Sequence, residues 1–130
     1  MKKRIILFAL VLAIFSVMVA GCNYMSNAWS CTGLSNNLNN DSWVLKANSV
    51  NGHGIGKIVL TSDTLATVHI DSTNSDGTVS LIISQGDTER TVDINKNFSG
   101  NIDMSGFTAG RINFRLDFAN AKDVNFSMNW

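Results

Sequence analysis

The chain has 130 residues with ten basic and ten acidic side chains, two histidines, two cysteines and no proline. The charge is unevenly placed: Lys2, Lys3 and Arg4 precede every acid, and without residues 1–21 the remainder holds seven basic and ten acidic residues, a net of −3. A mildly acidic chain with no Lys/Arg cluster excludes electrostatic nucleic-acid binding, and the length beyond residue 42 suits one small domain rather than two.

The first element is N-terminal. Lys2-Lys3-Arg4 leads into an apolar run from Ile5 to Ala20, broken only by Ser16. As a helix this run is roughly 24 Å long at about 1.5 Å per residue, short of the roughly 20 apolar residues that span a bilayer. A basic start, an apolar centre and a small-residue exit describe a secretory signal peptide over residues 1–21. A buried core helix and a retained signal anchor are the alternatives.

The end of the run is more specific. Val19-Ala20-Gly21-Cys22 resembles the lipobox of bacterial lipoproteins. The resemblance implies cleavage between Gly21 and Cys22 and attachment of a diacylglyceryl group to the Cys22 thiol. It implies a membrane partner through that lipid and a place on the extracytoplasmic face: the cell membrane of a single-membrane host, or the outer membrane of a double-membrane one. Asn23, where an Asp would mark inner-membrane retention in that family, leans toward the outer membrane. Two acyl chains suffice for stable anchoring, whereas one is marginal.

Residues 22–42 follow, with Asn and Ser dominant and no period of two or 3.6. They read as the lipidated cysteine and a flexible tether, with a reach of roughly 25 Å for such a coil. Tyr24 and Trp29 in this stretch are expected either to rest at the membrane interface or to pack on the domain. Cys31 is then the one free thiol, an incidental residue or a site of intermolecular pairing, and no Lys, Arg or His lies near it in sequence.

From Trp43 to Trp130 the period is two, the mark of strands with one buried face. Ile112, Phe114, Leu116 and Phe118 alternate with polar residues, as do Val124, Phe126, Met128 and Trp130, and "ANAK" between them reads as a hairpin turn. "TLATVHI" (64–70), "TVSLIIS" (78–84) and "TERTVDI" (88–94) are further strands, with turns at "DSTNSDG" and "QGD". "WVLKANSV", "GKIVLTS" and "NFSGNIDM" bring the total to about eight. The expected fold is therefore all-β: an antiparallel β-sandwich, jelly-roll-like, over residues 43–130, preceded by a signal helix and the tether. Trp130 falls on the core-facing phase.

The pattern "DSTNSDGTVSLII" followed by "FTAGRINFRLDF" resembles, at the level of layout, the small secreted β-sandwich modules of the bacterial pre-peptidase C-terminal type. The late Gly-x-Tyr of those modules is absent. The resemblance implies a non-catalytic attachment module and no cofactor.

The residues themselves offer little catalysis. There is no Gly-x-Ser-x-Gly, His-Glu-x-x-His or Walker loop. His53 lies in "NGHGIG", which reads as a flexible glycine-rich turn, and His69 lies on the polar side of a strand. Asp71, Asn74 and Asp76 before Gly77 form the best metal candidate, a calcium loop, against the plainer reading of an Asx-rich hairpin turn. Carbohydrate binding needs exposed aromatics, and Trp43 alone is out of the core-facing set. The expectation is a non-enzymatic binding or structural module of the cell envelope. A carbohydrate- or calcium-binding module is the alternative, with a small surface hydrolase behind it, to be revived by a cluster of His69 or His53 with Asp and Ser.

Overall fold

The computed structural model describes residues 24–130. The expected signal peptide, Gly21 and Cys22 lie outside the described residues. Within them are β1 (Tyr24–Thr32), β2 (Ser35–Leu38), β3 (Ser42–Leu60), α1 (Ser62–Leu65), β4 (His69–Thr73), β5 (Asp76–Gln85), β6 (Thr88–Asp93), β7 (Asn97–Asn101) and β8 (Gly110–Asn129). Every strand pairing is antiparallel.

Two long strands organise the rest. β3 and β8 pair along their whole length, from Ser42 opposite Asn129 to Leu60 opposite Gly110. Both bend midway. The register of β3 shifts between Val50 and Gly52. In β8 the buried phase steps from Phe118 to Ala121 to Val124 rather than by twos. Asn120 and Asp123 take positive φ there, 48° and 50°, which short Asx side chains tolerate. Bulges of this kind let one strand serve two sheets. On one side of the bend the order is β1-β3-β8-β5-β6, here sheet A. On the other it is β2-β3-β8-β4-β7, sheet B.

The inner faces of the two sheets meet. Trp43, on sheet B, is fully buried. Its ring carbons lie 3.0 Å from where a Cβ on Gly56 of sheet A would stand. Phe126 packs edge-on to the Trp43 ring, with centroids 5.3 Å apart, and the indole N–H donates to Asn36 Oδ1 at 2.7 Å. The sandwich interior is completed by alternating residues such as Leu45, Ile58, Ile70, Leu81, Ile83, Phe114 and Leu116, all fully buried.

The alternation in 78–84, 110–118 and 124–128 predicts these strands well, and the "QGD" turn is a two-residue hairpin with Gly86 at φ 57°. Elsewhere the structure corrects the expectation. "ANAK" is no hairpin turn: β8 runs through it, still paired with β3, because Ala121 turns inward at the bend. Residues 24–38 are strands rather than a flexible tether. Met25, Trp29, Leu34 and Leu38 pack against the core, and an edge strand needs apolar residues only at intervals. "NGHGIG" is no loop but the centre of β3. Gly52 has φ 118°, and a Cβ on Gly54 would stand 2.3 Å from the Trp29 ring. These glycines make room for two indoles that are distant in sequence. "TLATVHI" begins as the single-turn α1, where Thr61 and Thr64 form a capping box, and the strand starts only at His69. Trp130 is half-buried and tied by its indole N–H to Asn40 O at 2.8 Å.

Candidate functional site

Because side chains alternate across a strand, register fixes which residues share the outer faces. On sheet B, one row runs Asn37, Val44, Ser127, Asp71, Ser99. The next runs Ser35, Lys46, Asn125, Thr73, Asn97, and the third Ser42, Asn129, His69, Asn101. Ten of these fourteen positions are Asn, Ser or Thr. A groove of about 210 Å³ crosses this face, with Val44, Lys46, Asp71, Thr73, Asn125 and Ser127 among its walls.

The centre of the face has an internal symmetry. β7 reads Asn97-Phe-Ser-Gly-Asn101, and the end of β8 reads Asn125-Phe-Ser-Met-Asn129. Both flank β4 in the same register: Asn101 and Asn129 beside His69, Ser99 and Ser127 beside Asp71, Asn97 and Asn125 beside Thr73. Phe98 and Phe126 flank Ser72, whose hydroxyl is buried without a partner. The two copies are used differently. On the β7 side, Ser99 Oγ donates to Asp71 Oδ1 at 2.5 Å, and His69 Nδ1 meets Asn101 Oδ1 at 2.8 Å. His69 Nε2 stands 3.3 Å from Asp71 Oδ2. On the β8 side, Asn125, Ser127 and Asn129 make no side-chain hydrogen bond among the described residues, and Asn125 and Ser127 line the groove.

The electrostatics follow from the contacts. The Asn101 carbonyl beside Nδ1 is the largest influence on His69 and raises its pKa above the ordinary 6.5; desolvation opposes it, and the Asp71 carboxylate beside Nε2 adds to the rise. The Ser99 hydroxyl, with His69 behind it, lowers the Asp71 pKa. The cluster contains Ser, His and Asp, but its wiring is wrong for acyl transfer. A nucleophilic serine hands its proton to the histidine. Here Ser99 is bonded to the carboxylate, and both nitrogens of His69 are engaged by other groups.

The remaining candidates do not converge. Asp71 belongs to the sheet B face. Asn74 is 6% exposed and turned inward, its amide donating to Asp76 O and Asn95 Oδ1 while its carbonyl accepts from the Lys96 N–H at 2.7 Å. Asp76 accepts from the Gly77 N–H. Asn74 thus staples two loops instead of completing a cation site, and among the described residues no group of three His, Cys, Asp or Glu is placed to hold a metal. Trp43, expected as an exposed platform, is the centre of the core. His53 is half-buried in β3 between Ala28 and Asp117, on sheet A. Cys31 is exposed and free on β1, and the fold brings Lys122 into the same depression, a neighbour that sequence distance hides.

The outer face of sheet A differs. Its rows carry His53, Asp117 and Asp93, then Ile55, Arg115 and Ile82, then Lys57 and Glu89, then Val59 and Arg111. Arg115 Nε pairs with Asp117 Oδ1 at 2.8 Å. The N-F-S-x-N repeat was visible in the sequence, but only the shared register around β4 gives it meaning. Among the described residues no helix is long and apolar enough to cross a membrane. No protein family, curated protein or solved structure matches this chain.

Proposed function

We propose that the protein is a lipid-anchored, non-catalytic module of the cell envelope that holds an uncharged glycan on the outer face of sheet B. The observation that carries this reading is the pair of N-F-S-x-N strands around β4, both of which line the groove: Ser99 and Asn101 of one are spent on Asp71 and His69, while Asn125 and Ser127 of the other keep their side chains unbonded. The groove offers Asp71 as a two-oxygen acceptor, Asn125 as donor and acceptor, Ser127 and Thr73 as hydroxyls and Lys46 as a donor. That mixture suits vicinal hydroxyls. Phe98 and Phe126 also border the groove, but it has none of the Trp, Tyr or Arg anchors typical of protein partners and not the basic surface of a nucleic-acid site. The exposed Trp platform expected from the sequence is in the core; the half-buried Phe98 is the aromatic at the groove, so most of the retention comes from several hydrogen-bonding contacts along a polymer. The anchor half of the reading is supported by Val19-Ala20-Gly21-Cys22 closing an apolar run behind Lys2-Lys3-Arg4.

Affinity electrophoresis of the detergent-solubilised full chain, in gels containing dextran, mannan or mixed-linkage β-glucan, tests the face. At least one neutral polymer retards the native chain, and Ser127→Arg with Asn125→Ala abolishes the retardation. Retardation by none of them, or equal retardation of the variant, overturns the glycan reading. Cys22→Ser tests the anchor: the expected product is uncleaved or released from membranes, and unchanged size and membrane retention overturn it.

A further inference from the structure

We infer that the glycan is an extended, β-1,4-linked chain of neutral pyranoses that lies across the strands of sheet B; this rests on the glycan reading of that face. The direction comes from the groove. It is a furrow between two adjacent rows of outward side chains, Ser127, Asp71 and Ser99 along one wall and Asn125, Thr73 and Asn97 along the other. The residues between the rows, Phe126, Ser72 and Phe98, form its floor. β3 extends the two walls by one strand, with Val44 and Lys46. The furrow therefore crosses β3, β8, β4 and β7, roughly 15 Å from the first strand to the last at about 4.8 Å per strand. Its walls stand one row apart, about 7 Å along the strands, which suits the edge of a single sugar chain and not a coiled one. At about 210 Å³ it takes up the edges of the sugars and leaves the rest of each ring in water.

The linkage comes from the repeat. Asn125 and Asn97 stand in the same register on either side of Thr73, two strands and so roughly 9.5 Å apart. Both are exposed, and among the described residues neither side chain makes a hydrogen bond. Each amide offers donors and an acceptor to a pair of hydroxyls. An extended β-1,4-linked chain advances by roughly one inter-strand spacing, about 4.8 Å, per sugar. Successive sugars are flipped, so alternate sugars turn the same edge to the same wall. Two alternate sugars then meet Asn125 and Asn97 alike, and the sugar between them turns its other edge to the Thr73 hydroxyl. An α-1,4-linked chain coils, and an α-1,6-linked chain has an extra rotatable bond at every link, so neither keeps this step. The charged groups at the furrow are Lys46 at one end and Asp71, which Ser99 and His69 engage. Neither charge recurs at the two-strand spacing, which fits uncharged sugars.

The test is calorimetric titration of the full chain, solubilised in a detergent without a sugar headgroup. The ligands are cello-oligosaccharides and β-1,4-manno-oligosaccharides of about two to six sugars, with isomalto-oligosaccharides of the same lengths beside them. In at least one β-1,4 series the affinity rises up to about four sugars, one per strand crossed, and then levels off. The isomalto series binds roughly tenfold more weakly or less. Asn97→Ala and Asn125→Ala each weaken binding of the tetrasaccharide by roughly threefold to tenfold; the length series itself needs no variant. An affinity that stops rising at two sugars, equal binding of the isomalto series, or an Asn97→Ala chain that binds like the native one overturns this inference alone. Retardation in any of the polymer gels without binding of either β-1,4 series does the same. No binding of any oligosaccharide together with no retardation by any polymer overturns the glycan reading and this inference together.

Discussion

The same two strands build both outer faces of the sandwich, yet the faces have little in common. On sheet A, β3 and β8 present Ile55, Lys57, Arg111, Asn113, Arg115 and Asp117 on the outer face; on sheet B the same strands present Ser42, Val44, Lys46, Asn125, Ser127 and Asn129. A chain rich in Asn and Ser overall would carry them on both sides. Their concentration on sheet B, continued by β4, β7 and β2, makes the neutral face a property of position and not of composition. Behind the faces the interior is shared, so surface chemistry can differ without dividing the core.

That comparison can be broken most forcefully from inside. Trp43→Ala empties the centre where sheet B meets Gly56 of sheet A and is expected to cost about 3–5 kcal/mol. Denaturant unfolding followed by circular dichroism and by the fluorescence of Trp29 and Trp130 should show one coincident transition. Two separate transitions would mean the halves do not share a core. Ser72→Ala is expected to act the other way. Its hydroxyl is 2% exposed and unpartnered between Phe98 and Phe126, and its removal should stabilise the fold by about 1 kcal/mol, read as a higher denaturation midpoint. A lower midpoint would reveal a hidden partner for that oxygen.

The remaining tests touch the faces alone. Ser127→Arg adds to sheet B, beside Lys46, a guanidinium of the kind sheet A carries. Stability should stay within about 0.5 kcal/mol while glycan retention falls. A large loss of stability would make that face structural. The smallest effect is in titration. By NMR the His69 ring should titrate above 6.5, and Asn101→Ala should bring it down. Since the folded value is the raised one, the contribution of His69 is complete below 6.5 and fades as pH rises through the folded value. Asp71, with its pKa lowered, contributes above 3.8 and loses its contribution as pH falls through its folded value. A ring titrating below 6.5 would remove the Asn101–His69–Asp71 cluster from the description of this face.

What was legible in the sequence followed local rules. Ile112 to Phe118 alternate strictly and Val79, Leu81 and Ile83 share one face, and a period of two reports a half-buried strand whatever its partners. What was hidden depended on partners. "NGHGIG" has the composition of a loop and becomes the middle of a strand because the Trp29 and Trp43 rings need the space its side chains would fill. "SNNL" looked like tether because an edge strand beside β3 has one face in water and needs little apolar content. The candidate site was half visible. His69 and Asp71 stood out as chemistry-bearing residues, and N-F-S-x-N occurs twice, but nothing local says that both copies flank one strand. Asp71, Asn74 and Asp76 were grouped by sequence distance, while the strand carries the first outward and the loop turns the second into a network with Asn95.

The position of β1 also has a mechanical consequence. It is an edge strand held to β3 by nine consecutive register pairs, from Tyr24–Lys57 to Thr32–Ser49, and antiparallel ladder bonds lie perpendicular to the strand. A load that enters the domain at residue 24 and runs along β1 strains all of those bonds together, in shear. A load that lifts β1 sideways opens them one at a time. A domain gripped at the Tyr24 end and pulled along β1 meets the stiffer of these two geometries.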